Sequence, residues 1–247
     1  MTKFILVLLC TMLASCGVNK VTVKSSDVID NQYANFSPAN NWWTSTGTDW
    51  QLRYQDTVSE TNKTQYFSMH SEDSLSSIGV RTEKYPDPYQ WGMKVDKQAF
   101  LKRHRRELTE EEEKDRKMKA IMSSDGWLTY FANALCTNGV TVLGAHWRED
   151  MMLKKVFSMT CRYYDNTESD SEYEGRRKVV IKYTFLTSGS GEREVLYKRE
   201  QELIKAVQGI MKTLVIKNID IERMKLEGIY YENEPFYIPE RVLIKPN

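Results

Sequence analysis

Two stretches in the second half of the chain alternate between apolar and polar residues with a period of two. Such alternation is typical of a strand that buries one face. The polar, acidic loop 165–175 separates them, so the pattern predicts a hairpin of strands 152–164 and 177–187. The inward positions are Phe157, Met159, Cys161 and Tyr163 in the first strand, and Val179, Ile181, Tyr183 and Phe185 in the second.

Shorter stretches predict further strands. Residues 50–54 alternate clearly, and residues 64–70 and 78–82 do so more weakly on either side of an acidic, serine-rich turn. A short apolar run at 140–143 is also typical of a strand.

Two stretches predict helices. Residues 127–136 are mostly apolar and are followed by Asn138-Gly139, a helix-ending signal, which favours a short buried helix. The second stretch, 194–214, has an apolar stripe at helical spacing. The stripe consists of Leu196, Leu203, Val207, Ile210, Met211 and Leu214. Together these elements predict an α+β fold, in which an antiparallel sheet carries helices packed on one face.

A charged segment interrupts the strand pattern. Asp96 is a suitable N-cap, and nearly every residue from 102 to 117 is charged, which predicts a charged helical insertion near 97–122. Its basic residues Arg103, Arg105 and Arg106 are candidates for gripping an acidic partner or lipid headgroups. The alternative is a solvated helix whose opposite charges screen each other.

An aromatic loop precedes this segment. The prolines at 86 and 88 exclude a helix or a central strand there, so Tyr85, Tyr89 and Trp91 lie on a rigid loop. These aromatic residues are candidates for partner binding. They would equally serve to cover an edge of the core.

The first sixteen residues indicate export. Lys3 precedes the apolar run Phe4–Leu9, which is too short to span a bilayer, and Leu13-Ala14-Ser15-Cys16 follows. This tetrapeptide resembles the lipobox of bacterial lipoproteins. The resemblance implies that residues 1–15 are removed, that Cys16 is acylated, and that the protein is anchored in the periplasm. Gly17, where an Asp would indicate inner-membrane retention, points to the outer membrane. The alternative is an ordinary secretory signal with a cysteine nearby.

The composition limits what the chain after the export signal can be. The chain has 35 Lys+Arg and 34 Asp+Glu, and loss of Lys3 leaves 34 of each, so no general attraction to nucleic acid or to anionic lipid is expected. The polar residues 16–41 suggest a flexible tether, and residues 42–247 a single domain.

Cys136 and Cys161 would be the thiols left in an oxidising compartment, which predicts one disulfide. Two buried free thiols are the alternative.

The sequence contains no recognisable catalytic motif. The three histidines have no HExxH or paired spacing, and neither GxSxG nor a phosphate-binding glycine loop occurs. We therefore expect no catalytic residues, no metal and no cofactor.

The chain resembles the lipid-anchored immunity proteins of type VI secretion systems. This resemblance rests on the lipobox, the size, a disulfide-capable domain and the lack of an active-site motif. That resemblance implies a protein partner, a secreted lipase toxin, whose catalytic cleft this chain would occlude. Two alternatives are a structural or assembly lipoprotein of the envelope and an enzyme acting on envelope polymers.

Overall fold

The computed structural model describes residues 19–54, 63–84, 97–98, 120–147, 150–167, 176–188 and 193–245. Its strands are β1 Val21–Val23, β2 Ile29–Asp30, β3 Ala34–Phe36, β4 Trp42–Thr44, β5 Gln51–Tyr54, β6 Lys63–His70, β7 Ser76–Lys84, β8 Ala120–Phe131, β9 Ala134–Trp147, β10 Asp150–Tyr164, β11 Arg176–Ser188 and β12 Val215–Ile216. Its helices are α1 Arg193–Thr213 and α2 Ile221–Leu226, with a 3-10 turn at Glu240–Val242.

Among the described residues, nine strands form one antiparallel sheet in the order β1-β4-β6-β7-β11-β10-β9-β8, with β5 also pairing with β6. The predicted hairpin is confirmed as β10 and β11, in which Met159 pairs with Ile181. The predicted strands at 50–54, 64–70 and 78–82 correspond to β5, β6 and β7. A second sheet has the order β12-β3-β2.

The inward residues of the hairpin form the centre of the core. Phe157 stacks on Tyr183 with their ring centroids 4.9 Å apart, and both side chains are buried. The predicted long helix is confirmed as α1, whose Leu203, Val207 and Ile210 join the same cluster. This helix contacts β11, β7 and β3. Burial of these apolar surfaces is the main stabilising contribution to the fold.

The helix predicted at 127–136 is wrong. Its residues lie in β8, a two-residue turn and the start of β9. Ala132 and Asn133 form that turn with positive φ angles of 50° and 59°, the conformation that joins two antiparallel strands tightly. A continuous apolar run fits a buried strand and a buried helix equally well, and the turn lacks the glycine that usually marks it.

The tether predicted for residues 16–41 is also wrong from residue 21 onwards. Val23, Ile29, Ala34 and Phe36 are buried, and the three strands that carry them pair with β4, β12 and each other. These strands are two or three residues long, so they are too short to show a period.

The charged insertion predicted at 97–122 is described only at its ends. Residues 97–98 are helical, residues 99–119 lie outside the described ranges, and β8 already begins at Ala120. The 3-10 turn ends at Val242, and Leu243 after it has an extended backbone. No helix within the described residues is long and apolar enough to cross a membrane.

Candidate functional site

The predicted disulfide is confirmed. Cys136 and Cys161 are direct register partners in β9 and β10, their Cα atoms are 4.2 Å apart, and the S–S distance is 2.06 Å. Both residues are fully buried. Because the helix at 127–136 does not exist, the bridge links two neighbouring strands rather than a helix to a hairpin.

The remaining predicted site residues lie outside the described residues and stay predictions. They are Cys16, Tyr85, Tyr89, Trp91, Arg103, Arg105 and Arg106. Lys97 is described, and it is six residues from both Trp91 and Arg103.

Lys97 contacts two tyrosines from distant parts of the chain. Its Nζ donates a hydrogen bond to the Tyr130 hydroxyl at 3.1 Å and lies 5.0 Å from the ring centroid of Tyr231. The two rings are 5.1 Å apart. The hydrogen bond with Tyr130 raises the pKa of Lys97, so the ammonium group is favoured at this position. We call Lys97, Tyr130 and Tyr231 the tyrosine cluster.

Residues 231–236, which we call the C-terminal segment, wrap the β8–β9 turn and hold Tyr231 beside Tyr130. The Tyr231 amide donates to the Asn133 carbonyl and the Glu234 amide donates to the Tyr130 carbonyl, each at 3.0 Å. The Asn133 amide in turn donates to Asn233 Oδ1 at 2.7 Å. These bonds satisfy backbone groups at the turn and at the β8 edge.

A cavity of about 440 Å³ is lined by Phe131, the neighbour of Tyr130 in β8, but by none of the three residues of the tyrosine cluster. It lies between α1, the end of β8 and the C-terminal segment. Its apolar residues suit an apolar or aromatic side chain, and its charged and amide groups would orient that side chain. It is lined by Phe131, Met211, Pro235 and Phe236 together with Gln208, Lys212, Asn233 and Glu234.

Sequence reasoning did not identify the tyrosine cluster or the cavity. Tyr130 and Tyr231 are 101 residues apart, and neither belongs to a local motif. The one available signal was that Gln208, Met211 and Lys212 recur at helical spacing, which puts them on one side of α1.

A second cluster lies at the other edge of the sheet. The Lys20 Nζ is 4.6 Å from the Trp43 ring centroid, and Trp43 stacks on His70 at 4.6 Å. The Trp43 indole donates to the Ser71 carbonyl at 2.8 Å, which fixes the ring. Desolvation, and then the nearby Lys20 charge, lower the pKa of His70. His70 is therefore neutral at neutral pH.

This shift predicts a pH dependence of stability. Below the ordinary pKa of 6.5 the unfolded chain binds a proton at position 70 while the folded protein does not. We expect stability to fall between pH 6.5 and the lowered pKa of His70, and to fall less in His70→Asn. Urea unfolding at neutral pH and at about pH 5.5 measures the difference. Lys20→Ala, which removes the second cause, should reduce the effect; an identical pH dependence in wild type and His70→Asn would contradict it.

Among the described residues, no group of three or more His, Cys, Asp or Glu side chains is placed to hold a metal ion. No protein-family model matches the chain, and the curated proteins contain no significant match to it.

Proposed function

We propose that this protein is a lipid-anchored periplasmic binding protein, and specifically an immunity protein that inhibits a lipase effector of a type VI secretion system. The lipobox residues Leu13-Ala14-Ser15-Cys16 support the anchor and the compartment. Acylation of Cys16 would hold the protein where such an effector is delivered.

The observation that carries the binding role is the cavity between α1, the end of β8 and residues 233–236. Tight protein–protein binding depends on a few aromatic or arginine residues in a well-packed centre. Tyr130 and Tyr231 supply aromatic surface. Lys97 contacts both of them, and in the sequence it lies between the aromatic loop and the basic run. Trp91 and Arg103, which lie outside the described residues, remain the predicted anchors on either side of Lys97 in the sequence.

The inhibitory mechanism that we propose is occlusion. An apolar side chain at the rim of the effector's catalytic cleft would enter the cavity, with Lys212 and Glu234 making polar contacts around it. The wide sheet and its internal disulfide keep the surface preorganised, which reduces the entropy lost on binding. The bound domain would then block entry of lipid to the cleft.

The test uses protection against sibling cells that deliver the effector. A strain that lacks this gene should be killed, wild-type protein should restore survival, and Lys212→Glu should not. Lys212 is exposed beside the cavity, so the reversal changes the charge presented to the partner without removing a buried group. Because Lys212 lies in the last turn of α1, we expect the reversal to lower stability by only about 0.3–1 kcal/mol through the helix dipole. Survival of the deletion strain while the secretion system is active would contradict immunity and favour the structural lipoprotein.

Lys198→Glu is the matched control. It makes the same charge reversal on the same helix, 14 residues from Lys212 and hence about 21 Å along the axis. Lys198 is exposed and pairs with Glu194. We expect this variant to protect cells fully; equal loss of protection in both variants would show that the cavity is not the binding site.

A further inference from the structure

The folded domain begins close to the predicted lipid. Asn19 is the first described residue, β1 begins at Val21, and Val23 is already buried with 1% exposure. Only residues 17 and 18 separate Cys16 from Asn19 in the sequence, and three extended Cα–Cα steps span at most about 11 Å. Because that distance is short, a lipid on Cys16 would keep β1 near the bilayer.

Within the described residues, β1 is one edge of the large sheet and β8 is the other. Eight strand positions lie along this path, and neighbouring strands are about 4.8 Å apart, so roughly 34 Å of sheet separates the two edges. The tyrosine cluster and the cavity adjoin β8. They are therefore at the opposite edge of the sheet from the point where the chain leaves for Cys16.

The β1 edge has side chains that suit a bilayer surface. Lys20 and Lys24 are exposed, and Val21 is 41% exposed. The Lys20 ammonium lies over the Trp43 ring, whose indole is only partly buried. Tryptophan is enriched at the membrane–water interface, and lysine is attracted to phosphate headgroups.

We propose that the β1 edge, with Lys20, Val21 and Trp43, lies directly on the phospholipid surface, and that the β8 edge projects away from it. Only residues 17 and 18 stand in the sequence between the proposed lipid attachment and the described domain. Its cavity is held at a fixed height, where it meets a soluble partner rather than the membrane itself. This placement rests on the proposed acylation of Cys16.

Fluorescent labels on the acylated full-length protein test the placement. With Cys16 acylated and Cys136 bridged to Cys161, one added cysteine is the single free thiol. We would label Thr22→Cys at the β1 edge and Glu234→Cys beside the cavity, both exposed positions. The proteins would then be reconstituted in vesicles of phosphatidylethanolamine and phosphatidylglycerol that contain brominated lipid, which quenches fluorophores close to the bilayer.

We expect the label at position 22 to be quenched several-fold more strongly than the label at 234. Lys24→Cys provides a second β1-edge site if the label at 22 disturbs the strand. Equal quenching at both edges, with acylation confirmed by mass, would overturn the placement and leave the anchor intact. An unmodified Cys16 would instead overturn the anchor and the placement together.

Discussion

Glu200→Gln is expected to lower the free energy of unfolding by roughly 3–5 kcal/mol, because it leaves a buried charge without its partner. The Glu200 side chain is completely buried and accepts a hydrogen bond from Lys155 Nζ at 2.6 Å. The same ammonium donates to the Val242 carbonyl at 2.5 Å, and Glu200 Oε2 accepts from the Ile244 amide at 2.6 Å. In the variant the Lys155 ammonium would keep only neutral acceptors, which are the Val242 carbonyl and the introduced amide oxygen.

The surroundings of this pair make the loss large. Lys155 is only 11% exposed, and its Nζ lies 5.1 Å from the Phe157 ring centroid. Burial raises the pKa of Tyr183, and the Glu200 carboxylate raises it further, so that the phenol stays neutral. In such a poorly solvated region, water cannot replace a missing charge partner.

Urea unfolding of a double variant tests whether the unpaired buried charge causes the loss of stability. Lys155→Met combined with Glu200→Leu removes both charges and should cost less than Glu200→Gln alone. Arg241→Ala is the control, since it removes an exposed ion pair with Asp125 and should cost less than about 1 kcal/mol. A Glu200→Gln effect no larger than that of the control would refute the assignment.

The buried pair illustrates what the sequence could not predict. Glu200 occupies a position of the α1 apolar stripe, four residues after Leu196 and three before Leu203, but the spacing does not show which group pairs with a buried glutamate. Its burial depends on Lys155 from β10 and on the backbone of Val242 and Ile244, which are separated from it by tens of residues. The same limit applies to Tyr130 and Tyr231. Such contacts are set by tertiary structure and leave no local pattern.

Elements with a clear period were predictable. The β10–β11 hairpin and α1 were identified because period two and period 3.6 persist over more than ten residues. The pattern failed for the apolar run 127–136, which has no period, and for the short strands within 21–36. In both cases the structure depends on pairing with distant strands: Cys136 with Cys161 in β10, and Val23 with Trp42 in β4.

Replacing both cysteines, Cys136→Ala with Cys161→Ala, is expected to lower the free energy of unfolding by roughly 3–4 kcal/mol through loop entropy alone. The bridge closes a loop of 25 residues in the unfolded chain, so its loss enlarges the unfolded ensemble. Some packing is lost as well, because both side chains are fully buried. Urea unfolding of the oxidised wild type and the double variant measures the change.

Comparison with wild-type protein kept reduced by a thiol reagent, which loses the bridge but retains both buried side chains, separates the two contributions. If loop entropy dominates, the chevron plot of the double variant should show a folding rate that falls more than the unfolding rate rises, because the bridge acts mainly on the unfolded chain. Before any reduction, denatured wild type should yield no alkylatable thiol at positions 136 or 161. Two freely alkylated cysteines, or a double variant as stable as the wild type, would show that the β9–β10 pair holds without the bridge.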